Sequence, residues 1–368
     1  MLSFCNRFSK TFLFSKKYLF SKKYLFSKRY LGIFVGLSFS MLAAADYSQH
    51  PLAAGFVDEM VQKHGFTAAE INQVLSKAQK RQPILDAIAR PAEKSKTWKE
   101  YRPIFIVPMR ITNGVAFWNE HRAALARAEK EFGVPAEIIV SIIGVETNYG
   151  KNTGSWYVID ALTTLAFDYP PRAPFFRSEL VNYFILTREQ KHNPLEFKGS
   201  YAGAMGYGQF MPSSYRNFAV DFSGDGFTDI WNNPTDAIGS VANYFKQHGW
   251  QTGKAVVAAA KLTKPRDSLL TNAAFNQVVP PTVKITEWKK SGIVPAKGLP
   301  KTISSRAPAI AIEFDGANGF EYWFGLQNFY TITRYNRSPM YAMAVYDLSL
   351  EIKQAMNKAG NKSAGATH

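Results

Sequence analysis

The chain has 368 residues, of which 46% are hydrophobic, 14% aromatic and 20% charged. So much apolar surface has to be buried that a disordered or linker-like protein is excluded, and the length allows two or three domains. The 44 Lys and Arg outnumber the 28 Asp and Glu, so the formal net charge is +16. A charge this high raises the question of a nucleic-acid-binding protein, and the answer depends on where the charges lie.

The first 45 residues have the pattern of an export signal. Residues 1–30 contain eight Lys or Arg and no acid, residues 31–42 form an apolar run, and three alanines follow at 43–45. This order of basic, apolar and small residues predicts a signal peptide over residues 1–45 that is cleaved on export to the periplasm. A retained membrane anchor is the alternative, but a run of twelve residues is too short to span a bilayer comfortably.

Removal of the signal peptide changes the composition. The remaining 323 residues carry 36 Lys or Arg against 28 Asp or Glu, so the net charge falls to +8. Along the sequence these cations are spread, whereas phosphate binding needs clustered cations, so we expect no nucleic-acid partner. The one cysteine, Cys5, lies in the signal and lacks the small, apolar run that precedes a lipidated cysteine. The mature protein is therefore predicted to have neither disulfides nor a lipid anchor.

The spacing of apolar residues predicts a mainly helical chain up to about residue 269. The predicted helices lie at 58–89, 112–132, from Pro135 onward, 182–190 and 234–248. Within the first of these stretches, Thr67 and Glu70, three residues later, form the pattern of a capping box, which marks a helix start. Beyond residue 269, short β-branched segments bounded by Pro and Gly predict a small antiparallel sheet. Its predicted strands lie at 278–283, 285–288, 309–314 and 321–324. Residues 340–356 return to helical spacing, and we predict a disordered tail over 358–368.

Glu146 is the first candidate for catalysis. Residues 138–145 are almost all apolar (IIVSIIGV), which predicts a buried helix, and Glu146 lies close to its end, before Gly150. Burial and the negative end of the helix dipole both disfavour a carboxylate, so we expect a raised pKa for Glu146. A raised pKa suits a general acid that works near neutral pH. The alternative is a buried Glu held in a structural ion pair.

Residues 198–214 (KGSYAGAMGYGQFMPSS) interleave glycine with aromatic residues and a carboxamide. Glycines let the backbone approach a ligand closely, aromatic rings can stack on sugar rings, and Gln and backbone groups can bind hydroxyl and N-acetyl groups. The pattern is therefore typical of a sugar-binding segment. One alternative is a glycine-rich packing site between helices, and a weaker one is a phosphate-binding loop, for which a third glycine at the dinucleotide spacing is missing.

Residues 221–232 (DFSGDGFTDIWN) resemble a calcium-binding loop. Oxygen donors stand at positions one, three, five and nine, with glycine at position six for the sharp turn. Position twelve is Asn232 where a bidentate Glu is expected, and Asp236 could complete the site from the next helix. A structural calcium ion is the first interpretation, and a turn of Asp and Gly without an ion is the alternative.

Three separated segments, in this order, resemble the lytic murein transglycosylase B family. They are GVETNYGK (144–151), GAMGYGQFMPS (203–213) and DAIGSVANYF (236–245). The similarity continues into residues 160–168 and ITRYNRS (332–338), so it covers most of residues 58–350. The resemblance implies an α+β, mainly α fold, with a lysozyme-like helical core, a flanking helical domain and a small antiparallel β domain.

The resemblance also implies a division of the chain and a set of site residues. We expect the helical domain at 46–132, the catalytic core at 133–250 with an EF-hand-like loop at 221–236, the β domain mostly at 251–329 and a return to the core at 330–357. Glu146 falls at the position of the single catalytic acid/base. The residues that fall where the family binds its glycan are Ser200, Gln209, Phe210, Tyr244, Tyr335 and Asn336. Those that match its calcium loop are Asp221, Ser223, Asp225, Phe227 (through its carbonyl) and Asp236.

The activity that the resemblance implies is cleavage of the β-1,4 bond between N-acetylmuramic acid and N-acetylglucosamine, with formation of 1,6-anhydromuramic ends. No cofactor is expected for this chemistry beyond a structural calcium ion. The expected partners are peptidoglycan glycan strands, with proteins of wall synthesis or division as further candidates, and we expect a monomer. The alternatives are a peptidoglycan hydrolase that uses water and a wall-binding protein without catalysis.

Overall fold

The computed structural model describes residues 46–89, 96–266 and 275–365, and the predicted signal peptide lies outside them. Most of these residues are helical. The helices are α1 (Ala53–His64), α2 (Ala68–Leu75), α3 (Gln82–Ile88), α4 (Trp98–Phe105), α5 (Pro108–Glu120), α6 (Arg122–Phe132), α7 (Ala136–Thr147), α8 (Val158–Asp168), α9 (Ala173–Glu189), α10 (Pro212–Phe218), α11 (Pro234–Gln247), α12 (Ile285–Trp288), α13 (Gln327–Tyr335) and α14 (Pro339–Gly365). Among the described residues, no helix is long and apolar enough to cross a membrane.

The helical pattern predicted over 58–89 is divided among three short helices, α1, α2 and α3. Helix α1 ends at Gly65, which takes a left-handed φ of 67°. Helix α2 begins at the predicted capping box, in which the Thr67 hydroxyl accepts from the Glu70 N–H and the Glu70 carboxylate accepts from the Thr67 N–H. Pro83 in the first turn then opens α3. Local start and stop signals thus divide a continuous apolar pattern.

Charged groups attach this region to helix α8. Arg81 forms an ion pair with the buried carboxylate of Asp160 at 2.7 Å, and Lys80 forms another with Asp168 at 2.6 Å. The hydroxyl of Tyr47 also donates to Asp168, at 2.7 Å. These contacts are made across 79 to 121 residues of sequence, so they join the flanking helices to the core.

Helix α7 lies at the centre of the core. All of its residues except Glu137 are buried, because its sequence is apolar on every face. It packs against α5, α6, α11 and the C-terminal helix α14. The predicted helix starting at Pro135 is therefore present, with Pro135 as its N-terminal cap. A helix enclosed in this way holds its side chains firmly, including the one at its end.

Among the described residues the strands form two antiparallel sheets, and the smaller sheet pairs β1 (Trp156–Tyr157) with β2 (Lys198–Gly199). The larger sheet contains β3 (Val257–Leu262), β4 (Ile293–Pro295), β5 (Ile310–Gly316) and β6 (Gly319–Gly325), in the spatial order β4-β3-β6-β5. The predicted strands at 309–314 and 321–324 correspond to β5 and β6. The predicted strand at 285–288 is wrong, because these residues form helix α12, and residues 278–283 form no strand.

Strand β3 was not predicted. Its sequence, VAAAKL, is rich in alanine, which favours helix. It becomes a strand because it lies between two partners, with Ala258 opposite Phe324 of β6 and Lys261 opposite Val294 of β4. Pairing on both edges satisfies its backbone and overrides a weak local preference.

The two faces of the four-stranded sheet pack differently. Ile310, Ile312 and Phe314 of β5 join the main core, and Phe314 stacks on Trp98 of α4 with ring centroids 5.0 Å apart. The opposite face forms a second, smaller core with residues 275–309, which we call the cover segment and which include the edge strand β4. The side chains of this second core include Ala258, Ala260, Ala311 and Phe324 of the sheet and Ile285, Trp288, Ile293 and Ile303 of the cover segment.

The C-terminal helix α14 runs to Gly365, whereas the sequence predicts a disordered tail from residue 358. No proline interrupts residues 340–365, so a helix already formed against the core can continue outward. Lys353 of this helix binds Glu137 at the start of α7, at 2.6 Å. Residues 366–368 of the predicted tail lie outside the described chain.

Candidate active site

Glu146 lies in the last turn of α7 and is 2% exposed. The helix ends directly after it because Asn148, Tyr149 and Gly150 take positive φ values of 50°, 62° and 83°. Thr147 fixes this turn, since its hydroxyl donates to the carbonyl of Tyr207 at 2.9 Å and accepts from the N–H of Gly150 at 3.0 Å. The turn that follows Glu146 is therefore bonded to the glycine-rich segment.

Tyr341 of α14 contacts the carboxylate directly. Its hydroxyl donates to Oε1 of Glu146 at 2.5 Å, and both side chains are buried. Burial, and then the charge of Glu146, raises the pKa of Tyr341 well above its ordinary value. The phenol therefore stays protonated and remains a hydrogen-bond donor to the acid.

A group of aromatic side chains lies next to this pair. The hydroxyl of Tyr335 donates to the carbonyl of Gly208 at 2.5 Å, and its ring lies 4.8 Å from that of Tyr244 and 5.9 Å from that of Phe210. Burial, followed by the charge of Glu146, raises the pKa of Tyr335 well above its ordinary value. Tyr335 is thus close enough to Glu146 for the charge of Glu146 to affect its pKa, and it is bonded to the glycine-rich segment.

A cavity of about 400 Å³ opens beside these rings. Five of the six predicted glycan-binding residues line it, namely Gln209, Phe210, Tyr244, Tyr335 and Asn336. The sixth, Ser200, does not belong to the lining. Its hydroxyl instead accepts from the N–H groups of Ala202 and Ala204, at 3.2 and 3.0 Å, and so holds the turn that precedes the wall.

The glycine-rich segment has the close backbone approaches that its sequence suggests. A Cβ atom on Gly206, which has a φ of 67°, would collide with the carbonyl of Ile230. Gln209 also takes a positive φ, of 52°, and its amide donates to the carbonyls of Thr153 and Gly206, both at 3.0 Å. The conformation of the segment is therefore fixed by its own backbone and by the loop that follows α7.

The loop after α10 is held by carboxylates that accept from the backbone. Asp236 is fully buried and accepts from the N–H groups of Phe222, Ser223 and Asp229. The carboxylate of Asp221 accepts from the N–H groups of Gly224 and Gly226, which lowers its pKa. Asp225 accepts from the N–H of Phe227, and the Phe227 ring is exposed. In the parts of the chain that the structure describes, no three His, Cys, Asp or Glu side chains come together around a metal position.

Several residues of the site were missed by the sequence reasoning. Tyr341 lies on a helix whose pattern indicates only a buried face, so no local signal distinguishes it. Arg172, Arg334, Arg337 and Glu179 also line the cavity. Arg334 and Arg337 flank Tyr335 and Asn336 in the ITRYNRS segment, so their proximity to the cavity could have been inferred. Arg172 and Glu179 carry no such signal.

Glu146 is not among the residues that line the cavity, but Tyr335, which lines it, is close enough for its pKa to respond to the charge of Glu146. A buried acid at a helix end and a tyrosine-lined cavity in a mainly helical core are the features expected of a glycan-cleaving enzyme of the lysozyme-like class. The model of the transglycosylase SLT domain matches residues 48–350, and the chain belongs to this family. It is 43% identical over 324 residues to membrane-bound lytic murein transglycosylase B of Escherichia coli K12, with 86% of each protein covered.

Solved structures agree with this assignment. SltB1 from Pseudomonas aeruginosa matches with a TM-score of 0.78 and 55% identity, over 84% of this chain and 100% of that one. The Escherichia coli lytic transglycosylase Slt35 in complex with calcium matches with a TM-score of 0.75 and 44% identity, over 85% of this chain and 96% of that one. The predicted fold class is confirmed, and the chain is a lytic transglycosylase that acts on peptidoglycan. The lytic transglycosylase is thereby selected over the water-using hydrolase and the non-catalytic wall-binding protein. Lytic transglycosylases need no cofactor for catalysis.

Proposed function

We propose that Glu146 is the single general acid/base of this lytic transglycosylase. The observation that supports this role is the position of its carboxylate, which is buried at the end of α7 and bonded to Tyr341. The hydroxyl of Tyr341 fixes the position of this carboxyl group, as a group that gives and takes a proton at a defined place requires. Tyr335 lines the cavity and is close enough to respond to the charge of Glu146, which connects the acid to the space where the glycan binds.

The reaction needs this carboxyl group twice. Glu146 first donates its proton to the glycosidic oxygen, and the N-acetyl group of the substrate stabilises the cation that forms. Glu146 then takes the proton of the C6 hydroxyl of the same sugar, which attacks in place of water. The proton returns to the acid, no water is consumed, and the product carries a 1,6-anhydromuramic end. Glycosidases that use water need a second carboxylate, whereas this route does not.

The aromatic lining contributes the binding of the glycan and the exclusion of water. Phe210, Tyr244 and Tyr335 present apolar rings that can pack on sugar rings, while Gln209 and Asn336 supply polar groups for hydroxyl and N-acetyl groups. Ser200 supports the turn that carries this wall. Excluding water favours attack by the C6 hydroxyl over hydrolysis.

Among the described residues that line the cavity, Glu179 is the only acid, and it is the competing candidate for a catalytic carboxylate. It accepts from the N–H and the hydroxyl of Ser213, at 2.9 and 2.6 Å, and Ser213 lies in the first turn of α10. Both oxygens of Glu179 thus accept from the start of α10, although burial leaves the pKa of Glu179 raised overall. We therefore assign Glu179 a structural role, which makes Glu179→Gln a matched control for Glu146→Gln.

Digestion of purified sacculi with analysis of product masses tests the function. The wild type is expected to release muropeptides lighter by one water than the reducing-end products of a hydrolase. Glu146→Gln should lose at least about a hundredfold in rate, while Glu179→Gln should stay within about tenfold of the wild type. Reducing-end products would contradict the transglycosylase mechanism, and full activity of Glu146→Gln would contradict the assignment of the acid.

We further propose that the 221–236 loop binds a structural calcium ion. Its candidate ligands are the oxygens of Asp221, Ser223, Asp225, Asp236 and the Phe227 carbonyl, and hard oxygen donors of this kind are the ones that Ca²⁺ prefers. The relative Slt35 has been solved in complex with calcium. The ion would join the loop to α11, on which Asp236 lies, and would contribute to stability, not to catalysis.

We also propose that the protein is exported and works as a monomer in the periplasm on peptidoglycan glycan strands. The basic, apolar and small residues of 1–45 support export, and the murein relative from Escherichia coli supports the substrate. Proteins of wall synthesis or division are candidate partners. Sequencing the N-terminus of the protein recovered from periplasm tests the cleavage site, which we expect after Ala45.

A further inference from the structure

The net positive charge of this protein is distributed unevenly among its predicted domains. Residues 251–329 contain ten Lys or Arg against five Asp or Glu, a net charge of +5. The whole of residues 46–368 carries +8, so a domain of 79 residues holds most of the excess. Within it, the cover segment of residues 275–309 has six cations and one acid, Glu287. Most of the net positive charge thus lies in one segment, although 30 of the 36 cations lie outside it.

The fold places these cations on an outer surface. One face of the four-stranded sheet packs on the helical core, and the cover segment lies on the opposite face. The apolar residues of the segment, such as Trp288 and Ile293, point into the second core. The six cations are all exposed, and they are Lys284, Lys289, Lys290, Lys297, Lys301 and Arg306. Glu287 lies 3.7 Å from Lys284 and offsets one of them.

The cover segment has a defined structure, so the spacing of its cations is fixed. The indole N–H of Trp288 donates to the carbonyl of Ala309 at 3.0 Å, which ties α12 to the start of β5. Gly292 takes a φ of 74° and turns the chain into β4, which pairs with β3 along the edge of the sheet. Lysines on such a framework lose less freedom when they bind an anionic polymer than lysines on a flexible chain.

The catalytic cavity does not reach this surface. None of the residues that line the cavity belongs to the cover segment, and the sheet separates the segment from the helical core. A ligand of the cover segment therefore need not compete with the glycan in the active site.

We propose that the cover segment is a second, non-catalytic surface for the wall, which binds the carboxylates of peptidoglycan stem peptides. This proposal rests on the activity on peptidoglycan. The stem peptides present free carboxylates repeatedly along the polymer, so several weak ion pairs can form at once and hold the enzyme near its substrate. Each exposed pair contributes little alone, and the attraction should weaken with salt because exposed charges are screened over about 10 Å at 0.1 M ionic strength.

Co-sedimentation with purified sacculi tests the proposal. All proteins carry Glu146→Gln, so that the wall is not digested during the measurement. The test variant removes four cations, by Lys289→Gln, Lys290→Gln, Lys297→Gln and Lys301→Gln. The control removes four exposed lysines from other domains, by Lys63→Gln, Lys99→Gln, Lys130→Gln and Lys191→Gln. At low salt the test variant should bind intact sacculi about tenfold more weakly than the control.

Two comparisons identify the carboxylates as the ligand. On glycan strands from which an amidase has removed the stem peptides, the test and control proteins should bind equally. In the active background, both should cleave short soluble muropeptides at the same rate. Equal binding of the test and control variants to intact sacculi would overturn the proposal. So would a loss of binding by the test variant that is as large on glycan without stem peptides as on intact sacculi. Binding that depends on these lysines only with phosphatidylglycerol vesicles would assign the surface to a membrane instead. Digestion of sacculi by Glu146→Gln would contradict the assignment of the acid and not this proposal, because the test and control proteins share that background.

Discussion

The hydroxyl of Tyr341 donates to the carboxylate of Glu146 at 2.5 Å, although 195 residues separate them in the chain. This contact joins the C-terminal helix to the end of the central helix. It gives the buried acid a donor that burial keeps protonated, since the pKa of Tyr341 is raised well above its ordinary value. Tyr341 is not among the residues that line the cavity, so under the proposed role of Glu146 we expect it to act as a positioning residue.

Replacing Tyr341 by Phe should slow catalysis without preventing folding. The ring and its packing are kept, but the carboxylate loses a donor, and hydrogen bonds to charged groups contribute about 1.5–3 kcal/mol. We expect kcat to fall by about 10- to 100-fold with little change in KM. Steady-state kinetics on soluble glycan strands measure both parameters. Tyr346→Phe, on the same helix, serves as the control, and a loss confined to KM would contradict the positioning role.

Glu179 should make stability depend on pH in a defined direction. Burial raises its pKa above the ordinary 4.5, partly offset by the two bonds from Ser213. The pKa of Glu179 is thus higher in the folded state than in the unfolded state. Its contribution to the free energy of unfolding is therefore fully present below the unfolded-state pKa, and it is lost as the pH rises through the folded-state pKa. In the variant Glu179→Gln the side chain does not ionise, so it makes no pH-dependent contribution. The variant should therefore gain stability relative to the wild type as the pH rises above 4.5, as measured by urea unfolding, and a constant difference would argue against it.

Gly206 and Gly224 provide a matched test of the glycine-rich segment. Both have positive φ, of 67° and 81°, but a Cβ on Gly206 would collide with the Ile230 carbonyl, whereas one on Gly224 would meet no atom within 4 Å. Gly224→Ala should therefore cost only the left-handed conformation, about 1–2 kcal/mol. Gly206→Ala should cost about 1–3 kcal/mol more, because the neighbouring backbone has to move. Denaturant unfolding of both variants gives the difference, and equal costs would show that the contact is unimportant.

The calcium proposal predicts a change in melting temperature. Adding a chelator should lower the melting temperature of the wild type, and restoring Ca²⁺ should recover it, because an ion bound only to the folded state stabilises it by mass action. Asp225→Asn should reduce the response, while the control Asp315→Asn, in the sheet domain, should retain it. A melting temperature indifferent to chelator and to calcium would show that the loop is stable as a turn without an ion.

The sequence alone was sufficient for the parts of this protein that depend on local patterns. The apolar run before Glu146 predicted a buried helix with an acid at its end, and the capping box at Thr67 marked a helix start. The family motifs identified five residues that the structure brings to one cavity. Each of these rests on residues adjacent in sequence, where spacing determines which face of an element is apolar.

Tertiary structure decided the rest, because it depends on partners distant in the chain. The alanine-rich segment VAAAKL is a strand only because β4 and β6 flank it, and ITEW is a helix where its β-branched residues predicted a strand. Tyr341 meets Glu146 only because α14 packs on α7. The cations of residues 275–309 form an outer surface only because the other side of that segment is buried on the sheet. A local pattern records which side chains an element can bury, whereas the partner that buries them is set by packing of the whole chain.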